Sequence, residues 1–242
     1  MNIALILAAG VGQRMRNEGL PKQFLKLMGK PIISYTIEKF QNCREIDRIF
    51  VACHNSWMDY MEDIVHQYQY DKVEKIFVGG NERQSSIRNG LELISLLHPE
   101  SDNIILIHDG VRPLVSETTI RENIRVAKKY GNAMTVKAVK ESVIVTKDES
   151  VGIDGFMNRN DTYSLTSPQS FQLEVLMKAY AKSSNMETKI PLIDSALVLA
   201  ATGIKIHLVK EQDENLKVTT PEDFYYLRGI LEMEEQKYIF GL

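Results

Sequence analysis

The sequence predicts an α/β protein built on a mainly parallel, mixed sheet with helices on both faces. Short apolar runs of strand length alternate with helix-length amphipathic segments. Glycine-bearing polar loops follow the first and third of these runs, and an aspartate lies just beyond the fourth. The 242 residues are 44% hydrophobic and 25% charged, enough for one large domain with a full core and short for two independent ones.

Each element has its own signal. Ile3–Ala8 is an unbroken apolar run and reads as the first strand. Ile32–Phe40 places Ile33, Ile37 and Phe40 on one helical face. Ile49–Ala52 is the second strand, and Trp57–Tyr68 a helix with Met58, Met61, Ile64 and Val65 at helical spacing. Val73–Val78 is the third strand, ending at Gly79-Gly80, and Ser85–Leu97 is the next helix. Ile104–Ile107 is the fourth strand, and Ser116–Tyr130 a helix with Ser116 at its N-cap. A different region opens at Met134–Val139, where Val143–Thr146 and the polar stretch to Arg159 read as a protruding hairpin. Tyr163–Phe171 returns to the domain, followed by helices at Leu173–Ala181 and Asp194–Thr202 and a strand at Ile206–Val209. A closing helix spans Pro221–Glu235, with Thr220 before Pro221. No repeat or low-complexity linker divides the chain, so residues 1–242 read as a single domain with a β-arm at about 138–162.

A net charge of −3 gives no general attraction for nucleic acid or an anionic membrane, so a basic site must be local. Cys43 and Cys53 have no C-x-x-C spacing and read as reduced cysteines. The N-terminal run is too short to span a bilayer and has no cleavage-site pattern, so a cytoplasmic protein is expected.

The segment from Leu7 to Gln23 is the most informative. It carries Leu7-Ala8-Ala9-Gly10-Val11-Gly12-Gln13-Arg14-Met15 and then Pro21-Lys22-Gln23. Gly10 and Gly12 leave the loop's backbone N–H groups open to a phosphate, while Arg14 and Lys22 supply the charge a triphosphate needs. The spacing fits neither G-x-x-x-x-G-K-[ST] nor G-x-G-x-x-G. Gly79-Gly80-Asn81-Glu82-Arg83-Gln84-Ser85-Ser86 enters a helix, and reads either as simple turn chemistry or as a base-and-ribose pocket offering Gly80, Asn81, Arg83 and Ser86. In His108-Asp109-Gly110-Val111-Arg112-Pro113, an aspartate at a buried strand end needs a partner, either a metal or substrate hydroxyl or a structural pair with Arg112. His108 reads as an orienting or packing residue. Lys217, between Leu216 and Val218, points away from both and can face a crevice while they pack. In an open α/β sheet these clusters share the edge at the carboxyl ends of the strands.

As a set, A-A-G-x-G-x-R-M, P-K-Q, G-G-x-x-R-x-x-S, H-D-x-x-R-P, P-Q-S-F and N-x-K-V-T-x-P-E-D resemble the polyol-phosphate cytidylyltransferase family. That family includes 2-C-methyl-D-erythritol 4-phosphate and D-ribitol 5-phosphate cytidylyltransferases, and the resemblance runs from about Ile3 to Phe224. It implies a Rossmann-like nucleotidyltransferase fold, CTP as co-substrate, Mg²⁺ as cofactor, and a homodimer joined by the arm. It also implies that Arg14, Lys22 and Lys217 act catalytically and that Leu7, Ala8, Ala9, Gly10, Gly12, Gly80, Asn81, Arg83 and Ser86 surround the nucleotide. Asp109 and Arg112 would lie at substrate and metal, with Ser167 at the substrate, while Ser142 and Arg159 would reach the polyol phosphate of the neighbouring subunit. A phosphate nucleophile is already ionised at neutral pH, with a second pKa of roughly 6, so a site of Arg and Lys needs no general base.

The pattern departs from the methylerythritol enzymes where Ile193-Asp194-Ser195 replaces Thr-Asp-Glu, and mildly at Ser142, where threonine is usual. Asp109-Gly110-Val111-Arg112 and Thr219-Thr220-Pro221 look closer to the ribitol-phosphate branch, so D-ribitol 5-phosphate or a similar pentitol phosphate is favoured as acceptor. The alternatives are methylerythritol phosphate, a sugar-1-phosphate nucleotidyltransferase, and a nucleotide-binding protein without catalysis. The apolar Tyr238-Ile239-Phe240 near the end is expected to pack on the domain or on a partner subunit.

Overall fold

The computed structural model describes residues 1–10, 19–147, 154–183, 194–211 and 214–240, with the side chains of 237–240 left aside. The apolar run Asn2–Ala8 forms β1, covered on both faces. After the first loop comes a hairpin of Lys26–Leu27 (β2) and Lys30–Pro31 (β3). Its turn residues Met28 and Gly29 have φ of 50° and 82°, the left-handed pair a tight two-residue connection requires. This hairpin is absent from the sequence expectation because two-residue strands show no alternation. The chain continues through α1 (Ile32–Gln41), β4 (Arg48–Cys53), α2 (Met58–Gln67), β5 (Val73–Val78), α3 (Arg83–Leu97), β6 (Ile104–Asp109) and α4 (Glu117–Tyr130). The Ser116 hydroxyl accepts from the Thr119 N–H at 3.2 Å and caps α4, and Gly131 closes it at φ 84°.

Next come β7 (Asn132–Ala138) and the arm, where β8 (Ile144–Val145) pairs antiparallel with β9 (Gly155–Phe156). The chain then forms β10 (Tyr163–Gln172), α5 (Leu173–Ser183), α6 (Ser195–Ala201), β11 (Leu208–Lys210) and α7 (Pro221–Phe240). Several bounds differ from the sequence reading, most by one or two residues, and Asp109 is the last residue of β6 instead of lying beyond it. A single 3₁₀ turn at Asn55–Trp57 precedes α2, the late strand is Leu208–Lys210 instead of Ile206–Val209, and α7 runs on to Phe240. The packing expected of Tyr238-Ile239-Phe240 lies outside the described side chains.

Among the described residues the central sheet has seven strands in the order β11-β7-β10-β6-β1-β4-β5. β1 runs parallel to β4 and β6, and β4 to β5, whereas β10 is antiparallel to both β6 and β7. The period-2 alternation of side chains divides the interior into two cores. Ala4, Ile6 and Ala8 of β1 join Ile33 and Ile37 of α1 and Ile120 and Ile124 of α4. Ile3 and Leu5 join Ile87 and Leu91 of α3 and Leu176 of α5.

A third cluster seats the functional edge. Leu27, Ile32, Val111, Leu114, Val218 and Leu227 bring together the β2–β3 hairpin, the loop after β6, the segment before α7 and α7 itself. The start of α7 is fixed by Asp223, whose carboxylate accepts from the N–H groups of Thr219 and Thr220 at 2.7 and 2.8 Å. Among the described residues no helix is long and apolar enough to cross a membrane.

Gly110, directly after β6, donates its N–H to Leu7 C=O at 2.9 Å. A Cβ there would lie 2.7 Å from Ile33 Cδ1 and 3.0 Å from the Leu7 carbonyl. Gly110→Ala should therefore cost about 1–3 kcal/mol by overpacking, read from urea unfolding, and an unchanged unfolding midpoint would contradict this packing.

Candidate active site

A cavity of about 190 Å³ opens at the carboxyl ends of β1, β5 and β6. Leu7 and Ala8 line it from the end of β1, Ala9 and Gly10 from just beyond it, and Lys22 and Gln23 from a later turn. Gly80, Asn81, Glu82, Arg83 and Ser86 enter from the loop after β5 and the start of α3, while Asp109, Val111 and Lys217 complete the wall. Four sequence-distant segments thus meet because the parallel strands β6, β1, β4 and β5 lie side by side and end at one edge.

Local hydrogen bonding shapes the α3 side. Ser86 Oγ accepts from Gly80 N–H at 3.0 Å and donates to Glu82 C=O at 3.1 Å, drawing the loop back over the first turn. Glu82 and Ser85 form a reciprocal capping box. Gly79 donates to Cys53 C=O at 2.8 Å, and a Cβ on it would collide with that of Ala9. The two loops approach this closely because a glycine stands at 79. Among the described residues, an added Cβ at Gly10 would meet nothing within 4 Å.

Asp109 is the electrostatic centre. Its carboxylate lies 2.9 Å from Lys217 Nζ, 3.2 Å from Arg112 Nε and 3.6 Å from Arg83 Nε. Burial pushes the carboxyl upward, but Lys217, Arg83 and Arg112 together outweigh it and hold Asp109 well below the usual carboxylate range. Among the charged cavity-lining residues described, Lys22, Arg83 and Lys217 face Glu82 and Asp109, and Arg112 adds its charge from behind. The surplus is positive, as an anion site requires.

Behind Asp109 lies a buried polar network. Asp109 N–H donates to Ser167 Oγ at 3.2 Å, and the Ser167 hydroxyl reaches His108 Nδ1 at 3.1 Å. His108 Nε2 lies 3.1 Å from the Arg112 carbonyl, which can only accept. Nε2 therefore carries the proton and the neutral ring accepts from Ser167. Arg112 NH1 donates to Asn215 C=O at 2.7 Å, and Asn215 Nδ2 to Ser167 C=O at 2.7 Å. The network joins the end of β6 and the middle of β10 to the segment carrying Lys217.

Most of the residues singled out from sequence converge here: Leu7, Ala8, Ala9, Gly10, Lys22, Gly80, Asn81, Arg83, Ser86, Asp109 and Lys217 all line the cavity. Ser167 and Arg112 do not line it. Ser167 is 1% exposed and supports Asp109 from beneath, so its structural position is that of a brace. Ser142 and Arg159 are exposed on the arm, away from this cavity. Gly12, Arg14 and Ile193 lie outside the described residues. Sequence reasoning passed over Gln23 and Asn215, although both stand inside quoted motifs, P-K-Q and N-x-K-V-T. A polar residue within two positions of a lysine was the available signal.

The family model described as 2-C-methyl-D-erythritol 4-phosphate cytidylyltransferase (IspD) matches residues 2–233. The chain belongs to this cytidylyltransferase family. A ribitol-5-phosphate cytidylyltransferase of Streptococcus agalactiae is 38% identical over 242 residues, covering 100% of both chains. A 2-C-methyl-D-erythritol 4-phosphate cytidylyltransferase of Clostridium acetobutylicum is 37% identical, covering 96% of this chain and 98% of its own. Among solved structures, the 4-diphosphocytidyl-2C-methyl-D-erythritol synthase of Anaerococcus prevotii superposes with a TM-score of 0.80 at 26% identity, over 96% of this chain and 98% of that one. The Rossmann-like nucleotidyltransferase fold expected of the cytidylyltransferase family is the fold observed.

The buried brace gives this family member a pH signature. Burial is the main cause that holds His108 down to about 4, with Arg112 and Lys217 adding to it against the opposing pull of Asp109 and the Arg112 carbonyl. An unfolded histidine titrates near 6.5, so the unfolded state takes up the proton first as pH falls. Stability from this group is complete above about 6.5 and is lost between there and about 4. Between pH 7.5 and 5 the wild type should lose about 2 kcal/mol more than His108→Asn in urea unfolding. Parallel pH profiles for the two proteins would contradict a neutral buried ring.

Proposed function

We propose that this cavity is the cytidylyl-transfer site and that the chain joins CTP to D-ribitol 5-phosphate, releasing pyrophosphate. The observation that carries the site is the convergence of Lys22, Arg83 and Lys217 with two glycine loops around the buried Asp109. Full-length similarity to ribitol-5-phosphate cytidylyltransferases and the Asp109-Gly110-Val111-Arg112 segment support the acceptor.

In this reading an oxygen of the acceptor phosphate attacks the α-phosphorus of CTP in line. The bond to the β-phosphate bridging oxygen breaks, and pyrophosphate leaves with that electron pair. The nucleophile is already anionic, so the protein's work is alignment and charge placement. Arg14, Lys22 and Lys217 stabilise the charge that grows on the phosphates, while the loop N–H groups hold the triphosphate. Among the described residues no group of three or more His, Cys, Asp or Glu could hold a metal ion. Oδ2 of Asp109 faces Lys217 and Arg112, whereas Oδ1 has Arg83 Nε at 3.6 Å, so Oδ1 is the oxygen that would hold Mg²⁺ as a single carboxylate ligand beside substrate phosphates. When bound it would neutralise phosphate charge.

The arm supports a homodimer. Ile144, Val145, Phe156 and Met157 are 47%, 46%, 74% and 48% exposed on a two-stranded hairpin. A second copy covering them would remove this apolar surface from water and bring Ser142 and Arg159 to the neighbour's acceptor phosphate.

Pyrophosphate release with CTP and Mg²⁺ should occur with D-ribitol 5-phosphate and not with 2-C-methyl-D-erythritol 4-phosphate; the reverse would overturn the acceptor. Lys22→Ala should lower turnover by about 100-fold or more at unchanged melting temperature, and near-normal turnover would remove its role. Phe156→Asp should shift the sedimenting species to monomer and reduce turnover, whereas a persistent dimer would exclude the arm as the interface.

A further inference from the structure

Gln23 is 2% exposed yet lines the cavity, and the mechanism above gives it nothing to do. Its side-chain amide donates to Ala8 C=O at 2.7 Å and to Gly10 C=O at 3.0 Å. An amide nitrogen carries two hydrogens, so both are committed, one to each side of Ala9.

The residue sits in the middle of a single 3₁₀ turn, Lys22–Phe24, closed by Phe24 N–H to Pro21 C=O at 2.9 Å and Leu25 N–H to Lys22 C=O at 3.2 Å. On the far side Phe24 is fully buried, with its ring centroid 5.3 Å from Trp57 and 5.2 Å from Tyr60. The turn is thus anchored in the core through Phe24 and tied to the first loop through Gln23. Lys22, directly before Gln23 in this turn, lines the same cavity.

We propose that Gln23 is a positioning residue for nucleotidyl transfer, acting through the loop after β1. By holding the Ala8 and Gly10 carbonyls it keeps two negative dipole ends off the phosphates. It also sets Ala8–Gly10 at a fixed place relative to Lys22. The inference rests on the reading of this cavity as the nucleotide site.

Gln23→Met keeps length and volume without donors, and Gln23→Glu sets a carboxylate against two carbonyl oxygens. Steady-state kinetics of the whole protein, with CTP and D-ribitol 5-phosphate varied separately, test the role. In Gln23→Met, kcat/KM for CTP should fall about ten-fold or more, as for loss of hydrogen bonds that orient the residues at the end of β1. Gln23→Glu should fall further, and Gln23→Asn, which keeps a shorter donor, should lie between wild type and Gln23→Met. The KM for the acceptor should stay constant. In a Lys22→Ala background the effect of Gln23→Met should shrink, because both act on one geometry.

Unchanged CTP kinetics in folded Gln23→Met and Gln23→Glu would overturn the proposal. So would a rise in both KM values accompanied by a lower melting temperature, with full additivity to Lys22→Ala. Gly10→Val and Lys22→Ala separate the two levels. If they abolish CTP turnover while the Gln23 variants do not, only the role of Gln23 fails. If they too leave turnover intact, the cavity is not the nucleotide site.

Discussion

The buried carboxylate of Asp109 is the constraint on which the rest of the site depends. A carboxylate at the end of a fully covered strand cannot remain ionised without compensation. Here the compensation comes from Arg83 on α3, Arg112 in the loop after β6 and Lys217 ahead of α7. One charge therefore organises three segments far apart in sequence. It also holds Arg83 and Lys217 together at the cavity wall.

Rigidity beneath that charge comes from neutral groups. Ser167, His108 and Asn215 form a buried network in which donors meet acceptors around the turn from β6. Such a network holds Asp109 and Arg112 in one geometry because rotating any member leaves a buried polar group unpaired. The antiparallel strand β10 has a structural reason here. It places Ser167 beside Asp109 at the carboxyl end of β6, where its neighbours in the sheet can be braced.

Close backbone approach matters as much as charge. Gly79 lets the loop after β5 reach Ala9, and Gly110 lets the turn after β6 sit on Leu7 and Ile33. The apolar cluster of Leu27, Ile32, Val111, Val218 and Leu227 then closes the edge from below, so Lys217 points to the cavity while Val218 packs. Membership of the cytidylyltransferase family gives this arrangement its chemical context, and the exposed arm gives the domain a surface suited to a second copy.

The sequence by itself determined the α/β class, the strands that carry the loops, and most residues of the cavity. Strand alternation and glycine-bearing loops at strand ends are local signals, and local signals survive in a linear text. The two-residue hairpin at Lys26–Pro31 left no such trace, and neither did the antiparallel placement of β10 between β6 and β7. Only the tertiary structure decided that Ser167 braces Asp109 from beneath, that Gln23 holds the first loop by two carbonyls, and that Arg83, Arg112 and Lys217 share one carboxylate. Those are contacts between residues distant in the chain, fixed by sheet order and packing, and no spacing within the sequence encodes them.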